Sequence, residues 1–129
     1  MQPLVSVIMP AYNGEKYICE AINSILNQTY KNFELIIVED SSKDKTLEVI
    51  KQFNDERIKL FQNDTNRGIA FSNNLGIEKS KGKYVALLDD DDIAFPERLK
   101  LQVDYMELHP EIDILGGMSE DIDENGEPY

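Results

Sequence analysis

The sequence predicts an α/β fold, a mostly parallel sheet flanked by helices, as one domain over residues 1–129. Three observations predict it. Short apolar runs rich in β-formers alternate four times with runs at helical spacing, which gives parallel strands joined by right-handed crossovers. The chain is long enough for one core, with 129 residues of which 41% are hydrophobic. Finally, Tyr84-Val85-Ala86-Leu87-Leu88 carries no charge and runs straight into Asp89-Asp90-Asp91-Asp92. A strand with no charge is covered on both faces, so this one is read as central, ending at Asp89 because Asp is a poor strand former.

The elements follow in order. Leu4 to Met9 is an apolar strand ended by Pro10, and Pro10 to Gly14 is a loop. Tyr17, Ile18, Ala21, Ile22, Ile25 and Leu26 then line one face of a helix from about Glu15 to Asn27. Cys19, the one cysteine, is read as a small buried hydrophobe on that helix, and it excludes an intrachain disulfide. Phe33 to Val38 is the second strand. The polar turn from Glu39 to Asp44 follows, with Asp44 as N-cap of a helix carrying Leu47, Ile50 and Phe53.

Ile58 to Gln62 is a third strand and Asn63 to Gly68 a loop. The next helix, Ile69 to Lys79, carries Ser72, Asn73 and Asn74 in its middle, poor helix formers there. Either it is weak or a polar face touches something specific. Ser80 to Lys83 turns into the acidic strand. Pro96 opens a helix with Leu99, Val103 and Met106 on its face. His109-Pro110 ends it, with His109 as a C-terminal cap. Ile112 to Met118 reads as a fifth strand. Asn125-Gly126 signals a hairpin turn whose returning strand would lie beyond Tyr129, so the chain reads as the front part of a larger domain.

Charge narrows the function. Against 25 acids stand 13 bases, a net charge of −12. A nucleic-acid backbone or an anionic membrane would be repelled, so neither is the expected partner. No apolar run approaches a membrane span, and no signal peptide is seen, which points to a cytoplasmic protein. The first strand–helix turn lacks the glycines of a dinucleotide fingerprint or P-loop. One histidine and one cysteine leave little for a nucleophilic triad. Asp121 to Gly126 matches half of a calcium loop, but the preceding Gly116-Gly117 makes a poor entering helix.

Two acidic positions remain. Ligand sites of open α/β sheets lie beyond the carboxyl ends of the strands. Asp89 to Asp92 stands there, a seat for a hard divalent cation such as Mg²⁺ or Mn²⁺, or else a solvated acidic turn. Asp40 stands just beyond the second strand, where such an acid meets a ribose or base, or merely faces solvent.

Four pieces together carry a resemblance. Val5 to Asn13, Glu39 to Asp44, Asn66-Arg67-Gly68 with Asn74 and Gly76, and Leu88 to Asp92 running into Phe95 to Leu99 occur in order and with fitting spacing. The chain resembles the N-terminal half of family 2 inverting glycosyltransferases, over nearly its whole length. The resemblance implies the Rossmann-like GT-A fold and a nucleotide-sugar donor, usually UDP-linked. It implies a divalent cation, Mn²⁺ or Mg²⁺, and a glycan or lipid-linked acceptor at the cytoplasmic face of the membrane.

By position, Pro10, Ala11, Tyr12 and Asn13 would line the nucleoside pocket, with Asn66, Gly68 and Asn73 also on the nucleotide. Asp40 would accept a hydrogen bond from the base, with Glu39 beside it. Asp89, Asp90 and Asp91 match the D-x-D element. Asp90 would face the ribose, and Asp91 with Asp89 would hold the metal. The general base of an inverting transfer lies well downstream of that element in the family. It is therefore expected outside these residues, leaving this stretch with little transfer activity alone. Two positions depart from the pattern: the family often has Gly at Ser41 and Arg at Asn73. A non-catalytic nucleotide-binding or metal-binding module of the same fold is the main alternative. A nucleotidyltransferase ranks below it, for want of a Gly-rich basic loop after the first strand.

Overall fold

In the computed structural model, which describes residues 2–129, the β-rich runs become four parallel strands. They are β1 (Val5–Ala11), β2 (Phe33–Glu39), β3 (Ile58–Gln62) and β4 (Tyr84–Leu87). The spatial order is β3-β2-β1-β4. Helices α1 (Ile18–Leu26), α2 (Thr46–Lys51), α3 (Ile69–Lys79) and α4 (Arg98–Leu108) connect or follow them.

The period of two along the strands divides the core. Val5, Val7, Met9 and Ala11 of β1, with Phe33, Leu35 and Ile37 of β2, pack with Ile22, Ile50 and Leu99 on the α1, α2 and α4 side. Ile8, Ile36 and Val38 point the other way and meet Leu75 of α3. The chain steps outward from β1 to β3 on one face, then returns under α3 to place β4 on the far side of β1. Right-handed crossovers require that change of face, and a crevice opens where the direction reverses, between β1 and β4.

Several expectations are corrected. Pro10 does not end β1: it pairs in register with Val38. It is tolerated because β4 pairs with β1 only as far as Ile8, so the edge where an N–H is missing has no neighbour. β4 is an edge strand among the described residues. Tyr84 and Ala86 pack on the core, while Val85 and Leu87 are exposed, because α3 covers β1 and β2 but not β4. Residues 112–118 form no strand; Ile114 and Met118 are almost wholly exposed. Asp113 and the pair Gly116-Gly117 weaken strand pairing, and glycine loses the most freedom on ordering.

Helix α1 starts three residues later than expected, because the Gly14 carbonyl accepts from the Tyr17 and Ile18 N–H groups at 3.0 and 2.9 Å and closes a turn first. Cys19 is exposed, on the outer face of α1, whose buried stripe is Ile18, Ala21, Ile22 and Ile25. Asp44 is not the N-cap of α2: Lys45 holds that position without a side-chain cap bond, and Asp44 one residue earlier accepts from the Thr46 N–H at 2.9 Å. His109 ends α4 through its backbone N–H, while its ring meets Tyr105 and Glu111 rather than helix carbonyls. The hairpin at Asn125-Gly126 closes within the chain. Ile122 bridges Pro128, and the Asp123 carboxylate accepts from the Asn125 and Glu127 N–H groups. Among the described residues no helix is long and apolar enough to cross a membrane.

Candidate functional site

The two loops that follow β1 and β2 are stitched together by their own polar side chains. The Asn13 N–H donates to Ser42 Oγ at 3.0 Å, and Asn13 Oδ1 accepts from the Lys43 N–H at 2.9 Å. The Gly14 N–H donates to Thr46 Oγ1 at 2.8 Å, and Glu15 exchanges bonds with Asp44 and Lys45. Glu39, buried at the end of β2, accepts from the Ser42 N–H at 2.6 Å and tightens the following turn. Ser41 there adopts φ 61°, a left-handed conformation that suits glycine. The departure at Ser41 thus falls where the backbone most favours the family's residue.

Asp40, like Glu39 beside it, is buried, 3% exposed. Its Oδ1 accepts from Asn63 Nδ2 at 2.7 Å and from the Arg67 N–H at 2.8 Å. Its Oδ2 accepts from the Gly68 N–H at 2.8 Å. Burial alone would raise this carboxyl, but the Asn63, Arg67 and Gly68 donors outweigh it and hold it below the ordinary range. An ionised carboxylate offers about four acceptor positions. Three are filled, so one on Oδ2 remains. Asn63 Nδ2 also donates to Ser72 Oγ at 3.1 Å. That contact is the specific partner of the polar face of α3.

The acidic run meets the first loop. Asp90 Oδ2 accepts from the Tyr12 N–H at 3.0 Å and sits against Gly14, where a Cβ would come within 2.4 Å of it. Burial, with repulsion from Asp91 and Asp89, raises the Asp90 carboxyl, against the opposing Tyr12 bond. Asp89 and Asp91 flank it, exposed. Asp92 is likewise raised by burial and by Asp89 and Asp91, with Arg98 opposing. The loop is anchored from behind by residues that sequence reasoning passed over. Gln28, fully buried, donates to the Phe95 carbonyl at 2.7 Å and accepts from the Leu99 N–H at 3.0 Å. Arg98 donates to the carbonyl of Leu87, the last residue of β4, at 2.9 Å. A glutamine at a helix end bears no periodic signal that marks such a role.

These loops enclose an open cleft of about 420 Å³ at the β1/β4 crevice, lined by Pro10, Ala11, Tyr12, Asp40, Asn66, Gly68 and Asp89 to Asp91. Ile69, not singled out from the sequence, and Ser72, marked there only as part of the polar face of this helix, complete it. Asn13, Glu39 and Asn73 do not line it. Asn13 and Glu39 hold the loops that do, and Asn73 carries a buried Oδ1 without a partner. Among the described residues no group of three or more His, Cys, Asp or Glu side chains is preassembled around a metal position. Magnesium-like ions that bind phosphates need only one or two carboxylates, the rest of the shell being water and phosphate. The oxygen donors of Asp89 and Asp91 fit such an ion in kind and number.

The chain matches the model of glycosyl transferase family 2 over residues 6–129. It is 40% identical over 122 residues to the Escherichia coli UDP-Glc:alpha-D-GlcNAc-diphosphoundecaprenol beta-1,3-glucosyltransferase WfgD, covering 95% of this chain and 48% of that protein. Its fold superposes on S. aureus TarS 1-349 in complex with UDP-GlcNAc with a TM-score of 0.78 at 34% identity, over 82% of this chain and 32% of that one. The mannosyltransferase PcManGT from Pyrobaculum calidifontis, solved with GDP-Man and Mn²⁺, gives a TM-score of 0.73 at 27% identity, over 84% and 33% of the two chains. The chain spans less than half the length of the curated relatives it matches. With the family match running from the second residue of β1 through the acidic loop to Tyr129, the chain belongs to glycosyl transferase family 2.

Proposed function

We propose that the β1/β4 cleft binds a nucleoside-diphosphate sugar, UDP-linked in the first instance, for inverting transfer to a glycan or lipid-linked acceptor. The observation that carries this reading is the meeting of Tyr12, Asp40 and Asp89 to Asp91 in one cleft at the carboxyl ends of the strands. The relatives support it. TarS was solved with UDP-GlcNAc and PcManGT with GDP-Man and Mn²⁺, and WfgD takes its name from UDP-Glc and a diphosphoundecaprenol-linked acceptor.

Each residue has a task its chemistry suits. The Tyr12 ring, 43% exposed at the cleft, gives a base an aromatic face, with Pro10 and Ala11 behind it. The free acceptor position of Asp40 suits an N–H on the edge of a base. Asn66 and Gly68 close the same end of the cleft, and Asp90, held by Tyr12, faces the ribose. Asn13 and Glu39 act at one remove, by fixing the loops. Asp91 and Asp89 would hold a Mn²⁺ or Mg²⁺ ion, which when bound neutralises charge gathering on the departing diphosphate. Holding the cation by carboxylates also lets a chain of net charge −12 accept an anionic ligand.

The test is a calorimetric titration with UDP, with and without Mn²⁺, then on Asp91→Ala. Metal-dependent binding, weakened roughly tenfold or more by the substitution, is the expected result; tenfold is about 1.4 kcal/mol. UDP and GDP both failing to bind, or binding indifferent to metal, would overturn the reading.

A further inference from the structure

Two clefts share Asp91: the β1/β4 cleft, and one of about 500 Å³ on the other side of the acidic loop, between that loop, α4 and residues 117–128. Beyond both, α4 carries an outward apolar stripe that nothing covers among the described residues. Leu101, Tyr105 and Leu108 form it, 61%, 45% and 77% exposed. We propose that this stripe pairs with the same stripe of a second copy of the chain, antiparallel, about a two-fold axis near Tyr105.

Helix geometry sets the stripe apart from the core. At 3.6 residues per turn, Leu101, Tyr105 and Leu108 fall on one side of α4, and the buried Leu99 and Val103 on the opposite side. A helix apolar on two opposite sides is covered on both. The inner side has the sheet, while the outer side of a single chain faces solvent. Residues 112–117 return beside α4 and widen the patch. The Ile112 N–H donates to the His109 carbonyl at 3.0 Å, and a Cβ on Gly117 would stand 3.7 Å from Gln102 Nε2. Ile114, 89% exposed, lies between those two points of the chain.

The area fits a small interface. Leu101, Tyr105, Leu108 and Ile114 leave on the order of 500 Å² of side chain exposed in one patch, the size at which such a patch marks an interaction site. A standard interface takes about 800 Å² from each partner. The flanking Lys100, Asp104 and His109 bring the face toward that value, which suits association in the micromolar range.

The pattern of the stripe and its rim select the occupant. Read from either end, the stripe runs Leu, Tyr, Leu. Antiparallel pairing therefore sets Leu101 against Leu108 of the second copy, twice over, with both Tyr105 rings near the axis. That is the self-complementary match a two-fold interface requires. The rim suits it in a chain of net charge −12. Lys100 is paired with Asp104 and Lys83 with Glu107, so two copies meet without a row of unpaired acids. The same pairing argues against an anionic lipid surface, whose headgroups need free cations.

The experiment is sedimentation equilibrium of the chain over the micromolar range, repeated on Leu101→Glu, Leu108→Glu and Val85→Lys. Both leucines are too exposed for their loss to unfold the chain, and Val85, an exposed apolar side chain of β4, serves as the control. The expected result is a mass rising with concentration from 14.8 kDa toward twice that value. Each glutamate should weaken association about tenfold or more, and Val85→Lys should leave it unchanged. Direction is read in a Cys19→Ser background. Leu101→Cys mixed with Leu108→Cys should give a disulfide-linked dimer, and Leu101→Cys alone should not. A mass fixed at 14.8 kDa at every concentration, association lost with Val85→Lys but with neither glutamate, or self-linking of Leu101→Cys would each overturn the proposal. So would a monomer that floats with vesicles of phosphatidylglycerol and phosphatidylcholine through the same two leucines.

Discussion

The carboxylate of Asp90 fills the space that Gly14 leaves by having no side chain. A Cβ on Gly14 would stand 2.4 Å from Asp90 Oδ2 and 3.0 Å from its Cγ. The Gly14 backbone cannot yield easily, because its N–H is bound to Thr46 Oγ1 and its carbonyl to the start of α1. The carboxylate can, since it is the end of a flexible side chain. Gly14→Ala is therefore expected to cost little stability, about 1 kcal/mol or less, while turning Asp90 away from Tyr12. Calorimetry should show UDP binding in Mn²⁺ weakened, with a melting temperature close to that of the parent. Unchanged binding would mean that Asp90 does not need the Tyr12 contact.

Asp40 carries a different kind of burden. Its three donors make it a strut for residues 63–68 as well as a candidate reader of the base. Asp40→Asn sets an NH₂ against an N–H and should cost about 1–3 kcal/mol. The carboxyl is depressed in the folded chain, so its stabilising contribution is full above the unfolded value near pH 4 and is lost as pH falls through the lower folded value. The stability gap between parent and variant should accordingly shrink below about pH 4. Urea melts at pH 7 and pH 3 measure both. An equal gap at the two pH values would assign the cost to shape rather than charge.

Ser41 holds a left-handed conformation at φ 61°. Such a conformation costs a non-glycine residue roughly 1–2 kcal/mol. Glycine also has more freedom to lose on folding, and the substitution forfeits the Ser41 Oγ bond to the Asp64 carbonyl at 3.3 Å. The expected net for Ser41→Gly is a gain of about 0.5 kcal/mol, read as a small rise in the urea midpoint. A loss would show that the Asp64 contact outweighs the backbone.

Gln28 closes the acidic loop from behind. Truncation to Ala would leave the Leu99 N–H and the Phe95 carbonyl without their buried partner and open a cavity at the end of α1. A cost of about 2–4 kcal/mol is expected. Hydrogen exchange should locate the damage, with the Leu99 amide losing protection before the amides of β1 and β2. Loss spread evenly over the sheet would mean that Gln28 supports the core in general.

Much of the architecture is legible in the sequence because burial repeats with a period. Strands β2 and β3 and helix α3 lie where apolar spacing and turn residues put them. Legibility ends where neighbours decide. Pro10 reads as a strand end, yet it stays in β1 because β4 is too short to need its N–H. Tyr84 to Leu88 reads as a central strand, yet α3 leaves one of its faces open. Ile112 to Met118 has the composition of a strand but pairs with none among the described residues.

The candidate site divides in the same way. Residue type and position after a strand single out Asp40 and Asp89 to Asp91, since the carboxyl ends of parallel strands converge whatever the rest of the chain does, whereas Tyr12 is marked only by the family resemblance. The amino-acid sequence by itself determined the alternating α/β order, the placing of acids at strand ends and the excess of negative charge. Only the tertiary structure decided that Gly14 makes room for Asp90, that three of the four acceptor positions of Asp40 are taken by the loop after β3, and that Asp91 is shared by two clefts. Periodicity is a local property and can be read along one dimension. Hydrogen bonds between residues 28 and 99, or 40 and 68, depend on how several loops close in space at once.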